Sequence, residues 1–438
     1  MSARIKIAYI IHRFPYLTET FIMREIYWLR QQGLDVQIFS LLEPKHSVVH
    51  DQAKELLKYT TYSPFVSWNV FKSQFHFLLR SPLRYFKSLA NVFLQTYREP
   101  AVLVRALVLF PKSVWFARLI EKENVNHIHS HFVWLDGIAA GVVFDLTGIT
   151  FTIHPHAFGL FSRNQKSVKR ELEHATQIVT ISKFHRKYIQ DLCPDIKSDK
   201  INVVYCGMEA ERFQPQSIPT GERPVQLLSI GRLTEKKGFE YLISACRNLA
   251  DRGLEFKCQV IGGGDLKHEL QKKIVELQLE EFVELAGSKS QQQVIQAYQE
   301  SDIFVLPCVV ASDGDRDGIP VVLMEAMACE VPVITTPVTG IPDLVLHEET
   351  GLLVAERDVD GLTEAIQRLI CDSGFRTQLG RQGRRTVLEK FDVKKNVSKL
   401  AAIFQRITNS NLMASTLAKP SKSSAFFSNN KISSQNEN

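Results

Sequence analysis

Short apolar runs alternate with longer amphipathic segments along most of the chain. The runs that predict buried strands are Lys6 to Ile11, Asp35 to Leu41, Val125 to His129, Ile149 to Ile153, Gln177 to Ile181, Lys200 to Tyr205, Val225 to Ile230, Phe256 to Ile261, Ser301 to Leu306, Val331 to Thr335 and Gly351 to Ala355. The segments between them, such as 18–32 and 238–252, have the period of helices. This alternation predicts parallel sheets covered by helices, an α/β fold.

The alternating pattern is interrupted once, between residues 207 and 224, where Pro, Gly and polar residues replace it. We therefore predict an N-terminal domain at 1–206, a linker at 207–224 and a C-terminal domain at 225–390. Segment 391–408 is a candidate for a helix that crosses back to the first domain. Residues 409–438 have few apolar side chains, and we expect them to be disordered.

The composition fits a globular protein, because 438 residues with 45% hydrophobic side chains are enough for two cores. The net charge of +6 permits anionic ligands or membrane surfaces but does not by itself indicate nucleic acid. Seven scattered cysteines favour reduced thiols in a cytoplasmic protein. We expect neither a secretory signal nor a membrane span, since no apolar run has the required length and flanks.

The stretch from Pro307 to Ala328 joins a buried strand to an apolar helix through an acidic loop. With Pro320 at the first helical position, the helix N-terminus faces the loop, where Gly318 lets a phosphate approach closely. Glu325 lies in a helix that is apolar nearly all round, so we expect a half-buried carboxylate. Such a group needs a partner, either an Arg or Lys in a salt bridge or a ligand.

A glycine and several cations follow the strand that ends at Ile230. Gly231, Arg232 and Lys237 belong to the sequence GRLTEKKG. A free backbone and clustered cations at the carboxyl end of a strand suit a diphosphate, although a charged surface turn has the same composition. The later run Gly262 to Gly264 lacks the spacing of a dinucleotide-binding fingerprint.

Histidines cluster at the ends of two predicted strands. His127, His129 and His131 alternate and share one face, but no Asp, Glu or Cys joins them at ligand spacing, so we expect no metal site. His154 and His156 follow the next strand, at the edge where open parallel sheets bind ligands. The alternative for His154 is a structural, hydrogen-bonded imidazole.

Aromatic and basic residues interleave between residues 62 and 122. They are Phe65, Trp68, Phe71, Phe75, Phe77, Phe86, Phe93, Phe110, Trp115 and Phe116, with Lys72, Arg80, Arg84, Lys87, Arg98, Arg105, Lys112 and Arg118. Basic amphipathic helices with exposed aromatics bind membrane interfaces. Alternatively, the aromatics pack into the domain and the bases form its solvated face. Single-stranded nucleic acid also suits this pattern, but no nucleic-acid motif accompanies it.

Asp317 and Glu325, with the intervening Gly-Ile-Pro and the following Met-Glu-Ala-Met-Ala-Cys, resemble the paired-acid motif of retaining GT-B glycosyltransferases. That family includes sucrose synthases and bacterial exopolysaccharide and lipopolysaccharide transferases of the colanic-acid type. The resemblance covers residues 4–408 and is most specific at 231–355. Thr18 to Glu25 is also similar to the opening of the exopolysaccharide members, although an ordinary capped helix explains it equally well.

The resemblance implies two Rossmann-like domains with parallel sheets facing across a cleft. It also implies hexose transfer from a nucleotide diphosphate sugar to a glycan or lipid-linked acceptor with retention of configuration, in exopolysaccharide or lipopolysaccharide biosynthesis. No cofactor, metal or nucleic-acid partner is expected. Peripheral contact of segment 62–122 with the inner face of the cell membrane would accompany a lipid-linked acceptor.

The resemblance also implies residue roles. Arg232 and Lys237 grip the donor diphosphate, Asp317 orients the sugar, and Glu325 binds the ribose. His154 faces the transferred sugar or acceptor. The expected substrate contacts further include Gly318, Ile319, Pro320, Gly231, Gly264 and His156, with the glycine run beside the nucleotide base.

Several residues depart from the family pattern, including Ala157 where relatives often have an acid and Glu330 where a Gly is common. Asp317 replaces the usual Glu, while Thr339 and Asp343 stand where relatives usually have Gly and Glu. The departures leave open a sugar-nucleotide-binding protein with impaired turnover. Another GT-B enzyme, such as an epimerase or a phosphorylase, is the second alternative.

Overall fold

The N-terminal domain is built on a parallel sheet. The structure is a computed structural model that describes residues 5–16, 19–44, 51–216 and 223–417. The strands of this sheet are β1 (Lys6–Arg13), β2 (Asp35–Leu42), β3 (Thr60–Tyr62), β4 (His127–His131), β5 (Phe151–His154), β6 (Gln177–Thr180) and β7 (Ile201–Val203). Their order across the sheet is β3-β2-β1-β4-β5-β6-β7. Apolar helices cover both faces, as the near-continuous apolar strands require.

Nine described helices belong to this half of the chain. They are α1 (Thr20–Gln31), α2 (Asp51–Leu57), α3 (Trp68–Arg80), α4 (Pro82–Thr96), α5 (Pro100–Lys122), α6 (Leu135–Thr147), α7 (Ala157–Leu160), α8 (Gln165–His174) and α9 (Lys183–Leu192). The predicted N-cap of the first helix, Thr18, lies outside the described residues. Ser182 caps α9 by accepting a hydrogen bond from His185 N, which is the capping geometry predicted for a Ser before a helix.

The C-terminal domain repeats this architecture. Its strands are β8 (Val225–Ile230), β9 (Phe256–Ile261), β10 (Val283–Gly287), β11 (Ile303–Leu306), β12 (Val333–Thr335) and β13 (Leu352–Leu353). Their order is β10-β9-β8-β11-β12-β13, all parallel. The helices are α10 (Phe239–Asp251), α11 (Lys267–Glu276), α12 (Gln291–Glu300), α13 (Val321–Ala328), α14 (Ile341–Leu344), α15 (Val359–Cys371), α16 (Ser373–Lys390) and α17 (Val393–Leu417). The predicted α/β fold with parallel sheets is confirmed.

The final helix returns to the N-terminal domain. Val397, Leu400 and Phe404 of α17 are buried in the same cluster as Ile22 and Ile26 of α1. We expected disorder from residue 409, but α17 continues to Leu417, and residues 418–438 lie outside the described part. The apolar face that docks on α1 therefore anchors a longer helix than the composition suggested.

The two chain segments that connect the domains run side by side. Met208 N donates to Phe391 O at 2.9 Å, and Val393 N donates to Met208 O at 3.1 Å. A Cβ added at Gly207 would lie 2.3 Å from Val393 Cα, so only glycine permits this approach. Most of the predicted linker is described, and its Phe213 is buried in the C-terminal core.

Segment 62–122 folds as β3 to α5 and divides its aromatics between core and surface. Phe77, Phe110 and Phe116 are buried, whereas Phe65, Trp68, Phe71, Phe75, Phe86 and Phe93 are exposed. Lys112 is also buried, and its ammonium donates to Leu41 O and Ser63 O at 2.7 and 2.9 Å. Contrary to our expectation, one described helix, α5, has the length and mean hydropathy of a membrane span. Half of its apolar stretch is buried inside the domain.

Candidate active site

The acidic loop between β11 and α13 brings Asp317 to two lysines. Lys237 Nζ lies 2.8 Å from Asp317 Oδ2, and Lys236 Nζ lies 3.8 Å from Oδ1. Burial by itself raises the pKa of Asp317, but the two lysine charges outweigh burial and hold that pKa below its ordinary value. The loop therefore presents a fixed carboxylate beside a fixed ammonium at the carboxyl end of β11.

A glycine shapes the cationic turn that follows β8. A Cβ added at Gly231 would lie 3.2 Å from Lys237 Cε, so the glycine leaves room for the lysine stem. Lys236 extends the cluster, with Nζ 2.9 Å from Asp315 Oδ2. Arg232 is exposed, and its positive charge repels the positive charge of Lys237. Lys236 was not among the predicted site residues, although its position next to Lys237 in one short turn was a usable signal.

The glycine run after β9 packs against the same turn. Leu233 N donates to Gly263 O at 2.9 Å, and a Cβ added at Gly264 would lie 2.6 Å from Leu233 O. Gly264 also has a φ of +157°, at the limit of the region that favours glycine. These contacts allow the two turns to lie against each other. A place for Gly264 beside a nucleotide base stays a prediction.

Glu325 of α13 has a hydroxyl partner. Tyr298 Oη donates to Glu325 Oε2 at 3.1 Å, where we had expected a salt bridge to Arg or Lys or a ligand. Burial raises the pKa of Glu325, and the charge of Arg24, from α1 of the other domain, partly opposes that rise. Within the described residues, the cationic influence on Glu325 thus comes from across the cleft.

The helix that carries Glu325 begins one residue later than predicted. Pro320 has φ −61° and ψ 125°, so it is the N-cap of α13 and not its first helical residue. Gly318 and Ile319 complete the turn from the acidic loop into this cap. Because α13 follows directly, its N-terminal N–H groups still open toward the acidic loop.

The acidic loop also contacts the N-terminal domain. A Cβ added at Gly318 would lie 2.7 Å from Ile181 Cδ1 and 3.4 Å from His185 Cε1. The sequence predicted that Gly318 admits a phosphate, but the side chains that occupy this space belong to the other domain. Arg316 adds a cation–π contact, 4.8 Å from the centre of the Phe161 ring. The two domains therefore meet directly beside the acidic loop.

Thr339 and Asp343, two of the departures from the family pattern, have defined contacts. The Thr339 hydroxyl lies within hydrogen-bond distance of Asp317 O and is 2.7 Å from Gly318 O. Asp343 Oδ2 accepts from the backbone N of Lys183, the first residue of α9, at 2.6 Å. A carboxylate at a helix N-terminus is favourable. Thr339 thus stabilises the acidic loop, and Asp343 joins the C-terminal domain to α9 of the N-terminal domain.

The histidines predicted to line the cleft lie together at the ends of β4 and β5. His154 is 1% exposed, and among the described residues neither of its ring nitrogens has a hydrogen-bond partner, so the structural alternative does not describe it. Burial lowers its pKa to about 3, which keeps the imidazole neutral at physiological pH. His131 contacts two neighbouring side chains. Its Nδ1 lies 3.0 Å from His156 Nε2, and its Nε2 lies 3.0 Å from Glu25 Oε1. Glu25 was not among our predicted site residues.

Two family models match consecutive parts of the chain. Glycosyltransferase Family 4 matches residues 18–212, and Glycosyl transferases group 1 matches residues 210–386. Their junction falls within the predicted linker, and the second model contains the acidic loop and the cationic turn. The chain belongs to the GT-B glycosyltransferases of group 1.

Named relatives of this group 1 glycosyltransferase include exopolysaccharide enzymes. Amylovoran biosynthesis glycosyltransferase AmsK of Erwinia amylovora is 35% identical over 249 residues, which are 57% of this chain and 60% of AmsK. Putative colanic acid biosynthesis glycosyltransferase WcaL of Escherichia coli K12 is 40% identical over 174 residues, which are 40% of this chain and 42% of WcaL. The matches thus span 42% to 60% of these relatives. The predicted resemblance to this family is confirmed.

Solved structures share the fold of this group 1 glycosyltransferase. Sucrose-phosphate synthase from Thermosynechococcus elongatus aligns with a TM-score of 0.70 and 18% identity, over 93% of this chain and 100% of that chain. Anabaena HepE, solved in complex with UDP, aligns with a TM-score of 0.67 and 14% identity, over 92% of this chain and 100% of that chain. The predicted GT-B arrangement is therefore confirmed, and the roles of individual residues stay predictions.

Proposed function

We propose that this group 1 glycosyltransferase transfers a hexose from a nucleotide diphosphate sugar to a glycan or lipid-linked acceptor, with retention of configuration. The observation that carries the proposal is the Lys237–Asp317 pair, 2.8 Å apart where the cationic turn meets the acidic loop. A diphosphate needs a cation and a sugar needs a hydrogen-bond acceptor, and both stand here at one place. The names of AmsK and WcaL support a role in exopolysaccharide or lipopolysaccharide biosynthesis.

In this proposal the C-terminal domain holds the donor. Arg232 and Lys237 stabilise the negative charge that develops on the departing diphosphate, a preorganised electrostatic effect that typically contributes several kcal/mol. The N-terminus of α13 faces the same loop and adds oriented N–H groups. Asp317 orients the sugar hydroxyls, and Glu325 accepts hydrogen bonds from the ribose. These groups bind the diphosphate without a metal ion or a cofactor.

The N-terminal domain supplies the acceptor side. His154 is a buried, neutral imidazole without a hydrogen-bond partner among the described residues, and in this proposal it contacts the transferred sugar or the acceptor when the cleft opens to admit them. Ile181 and His185 reach Gly318, so domain contact brings the two half-sites together. A shared site of this kind excludes water, which protects a nucleotide sugar from hydrolysis.

The departures from the family pattern favour an active transferase over an impaired binding protein. Thr339 braces the carbonyls of Asp317 and Gly318, and Asp343 joins the acidic half of the site to α9. Both residues therefore support the site that the proposal uses. Asp317, although shorter than Glu, keeps a lysine partner at 2.8 Å.

We also propose that the enzyme works at the inner face of the cell membrane through α3, α4 and α5. Their outer faces expose large apolar side chains, including Trp68, Phe75, Leu79, Leu83 and Phe86. Leu79 and Leu83 are 82% and 87% exposed, which is unusual for neighbouring leucines at a helix junction. Arg84 and Lys87 add positive charge to this face, whereas the buried Lys112 does not. A lipid-linked acceptor would be presented to such a surface.

The test uses the purified full chain and a panel of nucleotide sugars. A donor present at a hundred times its Kd stabilises the folded protein by about 2.7 kcal/mol, which thermal denaturation detects. The donor that stabilises the chain is then incubated with candidate acceptors, and NMR of the product reports the anomeric configuration. Transfer with retention supports the proposal. Binding without transfer to any acceptor supports the binding protein, and phosphate-dependent cleavage supports a phosphorylase.

A further inference from the structure

Four side chains from three elements meet inside the N-terminal domain. Glu25 comes from α1, His129 and His131 from β4, and His154 from the end of β5. One carboxylate or imidazole atom from each lies within 4.8 Å of every other. The three histidines are at most 1% exposed. A partly buried carboxylate, 14% exposed, thus faces three buried imidazoles.

The distances approach those of a tetrahedral metal site. Glu25 Oε1 lies 3.0 Å from His131 Nε2 and 3.7 Å from His129 Nε2, and Glu25 Oε2 lies 3.8 Å from His154 Nδ1. Metal–ligand bonds of about 2.0–2.1 Å in a tetrahedral zinc site place ligand atoms about 3.4 Å apart. The four ligand atoms lie within 4.8 Å of one another and would have to move closer by roughly 1 Å to share one ion.

Two of the imidazole nitrogens lack partners where they face the carboxylate. His129 Nε2 and His154 Nδ1 have no hydrogen-bond partner among the described residues. The ring centres of His129, His131 and His154 lie only 4.8 to 5.6 Å apart. Buried imidazole nitrogens that lack a partner and lie this close together can serve as metal ligands.

The outer partners orient the rings for coordination. His129 Nδ1 lies 2.6 Å from Thr152 Oγ1, and His131 Nδ1 lies 3.0 Å from His156 Nε2. With a proton on each Nδ1, both rings direct an Nε2 lone pair toward Glu25. Tyr9 Oη donates to Glu25 Oε1 at 2.7 Å. Hydrogen bonds that fix the tautomer and orientation of ligand side chains are typical of protein metal sites.

We propose that Glu25, His129, His131 and His154 bind a divalent transition-metal ion of the zinc class. Imidazole and carboxylate ligands in this number suit zinc. No metal site was predicted from the sequence, because no acid stood at ligand spacing, whereas in the structure α1 brings Glu25 to the histidines. A small cavity is lined by Glu25, Cys206 and Val397. The site goes beyond the proposed transfer reaction and does not depend on it.

A bound ion has one consequence for the cleft. Coordination through Nδ1 leaves Nε2 of His154 as the protonated nitrogen, which can donate a hydrogen bond to a ligand. The ion is thus a positioning group for His154 and takes no part in holding the diphosphate.

The first test measures metal in the full-length chain. The protein is stripped with a chelator, supplied with zinc alone or cobalt(II) alone, and desalted. We expect one zinc per chain by mass spectrometry of the metal content, and cobalt should give the intense visible absorption of four-coordinate cobalt(II) with nitrogen and oxygen ligands. Zinc should also raise the Tm of the stripped protein, because an ion that binds only the folded state stabilises it.

Variants then locate the ion. Glu25→Gln and His129→Gln should each weaken zinc binding by more than about a hundredfold, since losing even an outer partner costs 10- to 100-fold. His174→Gln on α8 is the control, because His174 lies outside the four ligands and contacts none of the residues that orient them. This variant should keep the zinc stoichiometry and the cobalt spectrum.

Either of two results overturns the proposal. In one, the stripped parent chain takes up no stoichiometric zinc and gives only the spectrum of hydrated cobalt. In the other, zinc binds Glu25→Gln and His174→Gln equally, which indicates an adventitious surface site. The cluster is then held by the hydrogen bond between His131 and Glu25 without an ion. If Glu25→Gln fails to fold, the stoichiometry, spectrum and Tm shift of the parent chain still decide.

Discussion

Lys237 Nζ and Asp317 Oδ2 lie 2.8 Å apart, so the cation assigned to the diphosphate and the acid assigned to the sugar neutralise each other without a ligand. A diphosphate must compete with Asp317 for Lys237, and a sugar hydroxyl must share Asp317 with Lys237. A ligand that carries both a diphosphate and a sugar replaces both partners of the ion pair at once. It therefore loses less binding free energy to this competition than a ligand that carries only one of them. The pair therefore favours an intact nucleotide sugar over a free sugar or free phosphate.

The Lys237–Asp317 pair gives the first testable prediction. Lys237→Ala should lower kcat by about a hundredfold or more, because charge is removed where it builds up in the transition state. It should also lower the free energy of unfolding by about 1.5–3 kcal/mol, because the mostly buried Asp317 loses its charged hydrogen bond and keeps only Lys236, 3.8 Å away. Steady-state kinetics and urea unfolding measure the two effects.

A double variant separates those effects. The double variant Lys237→Ala with Asp317→Asn also removes the negative charge of the Asp317 carboxylate. It should recover stability but not turnover. Arg232→Ala should lower turnover with little loss of stability, because Arg232 is exposed. Lys272→Ala, on the surface of α11, is the charge-matched control. Normal turnover in both Arg232→Ala and Lys237→Ala would place the diphosphate elsewhere.

A second prediction concerns the length of the acid at position 317. Asp317→Glu restores the arm found in relatives and should keep or improve activity, whereas Asp317→Ala should abolish it. The measurement is transfer rate at saturating donor for variants with matched Tm. A folded but inactive Asp317→Glu protein would show that the loop, with Thr339 beneath it, is shaped around the shorter side chain.

A third prediction follows from the raised pKa of Glu325. Burial raises that pKa above the ordinary 4.5, so the carboxylate that accepts ribose hydrogen bonds is lost at a higher pH than usual. Nucleotide affinity should fall as pH decreases toward this raised value. Glu325→Ala should cost about 1.5–3 kcal/mol of binding near neutral pH, and Glu325→Gln should bind with little pH dependence. Calorimetric titration with a nucleoside diphosphate measures both.

Stability of the free protein has the opposite sign. A raised carboxyl pKa means that the folded state holds the proton more tightly than the unfolded state. The contribution of Glu325 to the free energy of unfolding therefore falls as pH rises from 4.5 to the raised pKa. An affinity that stays constant in mildly acidic solution for the parent chain would contradict the role of Glu325.

A fourth prediction tests domain contact at Gly318. Gly318→Ala places a Cβ 2.7 Å from Ile181 Cδ1 and should lower activity while leaving the urea midpoint nearly unchanged. Adding Ile181→Val removes the clashing methyl at a cost of about 0.5–1.5 kcal/mol of stability and should restore activity. Ile181→Val alone is the control. Failure of the second substitution to restore activity would mean that Gly318 serves the ligand directly.

A fifth prediction tests the membrane surface. The full chain should cosediment with anionic vesicles more than with neutral vesicles, and high salt should weaken the effect. Neutralising Arg80, Arg84 and Lys87 should reduce binding, whereas neutralising Lys267, Lys272 and Lys289 of the other domain should not. Replacing the exposed Leu79 and Leu83 by Ser should reduce binding at both salt concentrations. Equal and negligible binding in every sample would leave a transferase without membrane contact.

Periodicity predicted the elements that form the centre of each sheet. The limits of β8 and β9 were predicted to the residue, because both are mainly apolar segments between clear breakers, Pro224 and Gly231 for β8 and Gly253 and Gly262 for β9. β3 and β10 were missed, since they are short strands at the sheet edges, where partial burial weakens the apolar signal. β4 begins and ends two residues later than predicted, because its polar histidines are buried.

The cationic and acidic loops of the site were predictable because each is local in sequence. Contacts between segments that are distant in sequence could not be predicted in this way. Nothing near Gly318 indicates Ile181, and nothing near His129 indicates Glu25, because periodicity and motifs carry no information about which elements face each other. Tyr298 as the partner of Glu325 belongs to the same class.

The paired crossings at Met208 and Asp392 limit how the cleft can change its width. Both segments pass between the domains at one place and are joined there by backbone hydrogen bonds. Separation of the two sheets by translation would break these bonds, whereas a pivot about them would not. We therefore expect the cleft to open and close by rotation about these two connecting segments. The displacement is smallest near Met208 and largest at the edge of the cleft farthest from Met208.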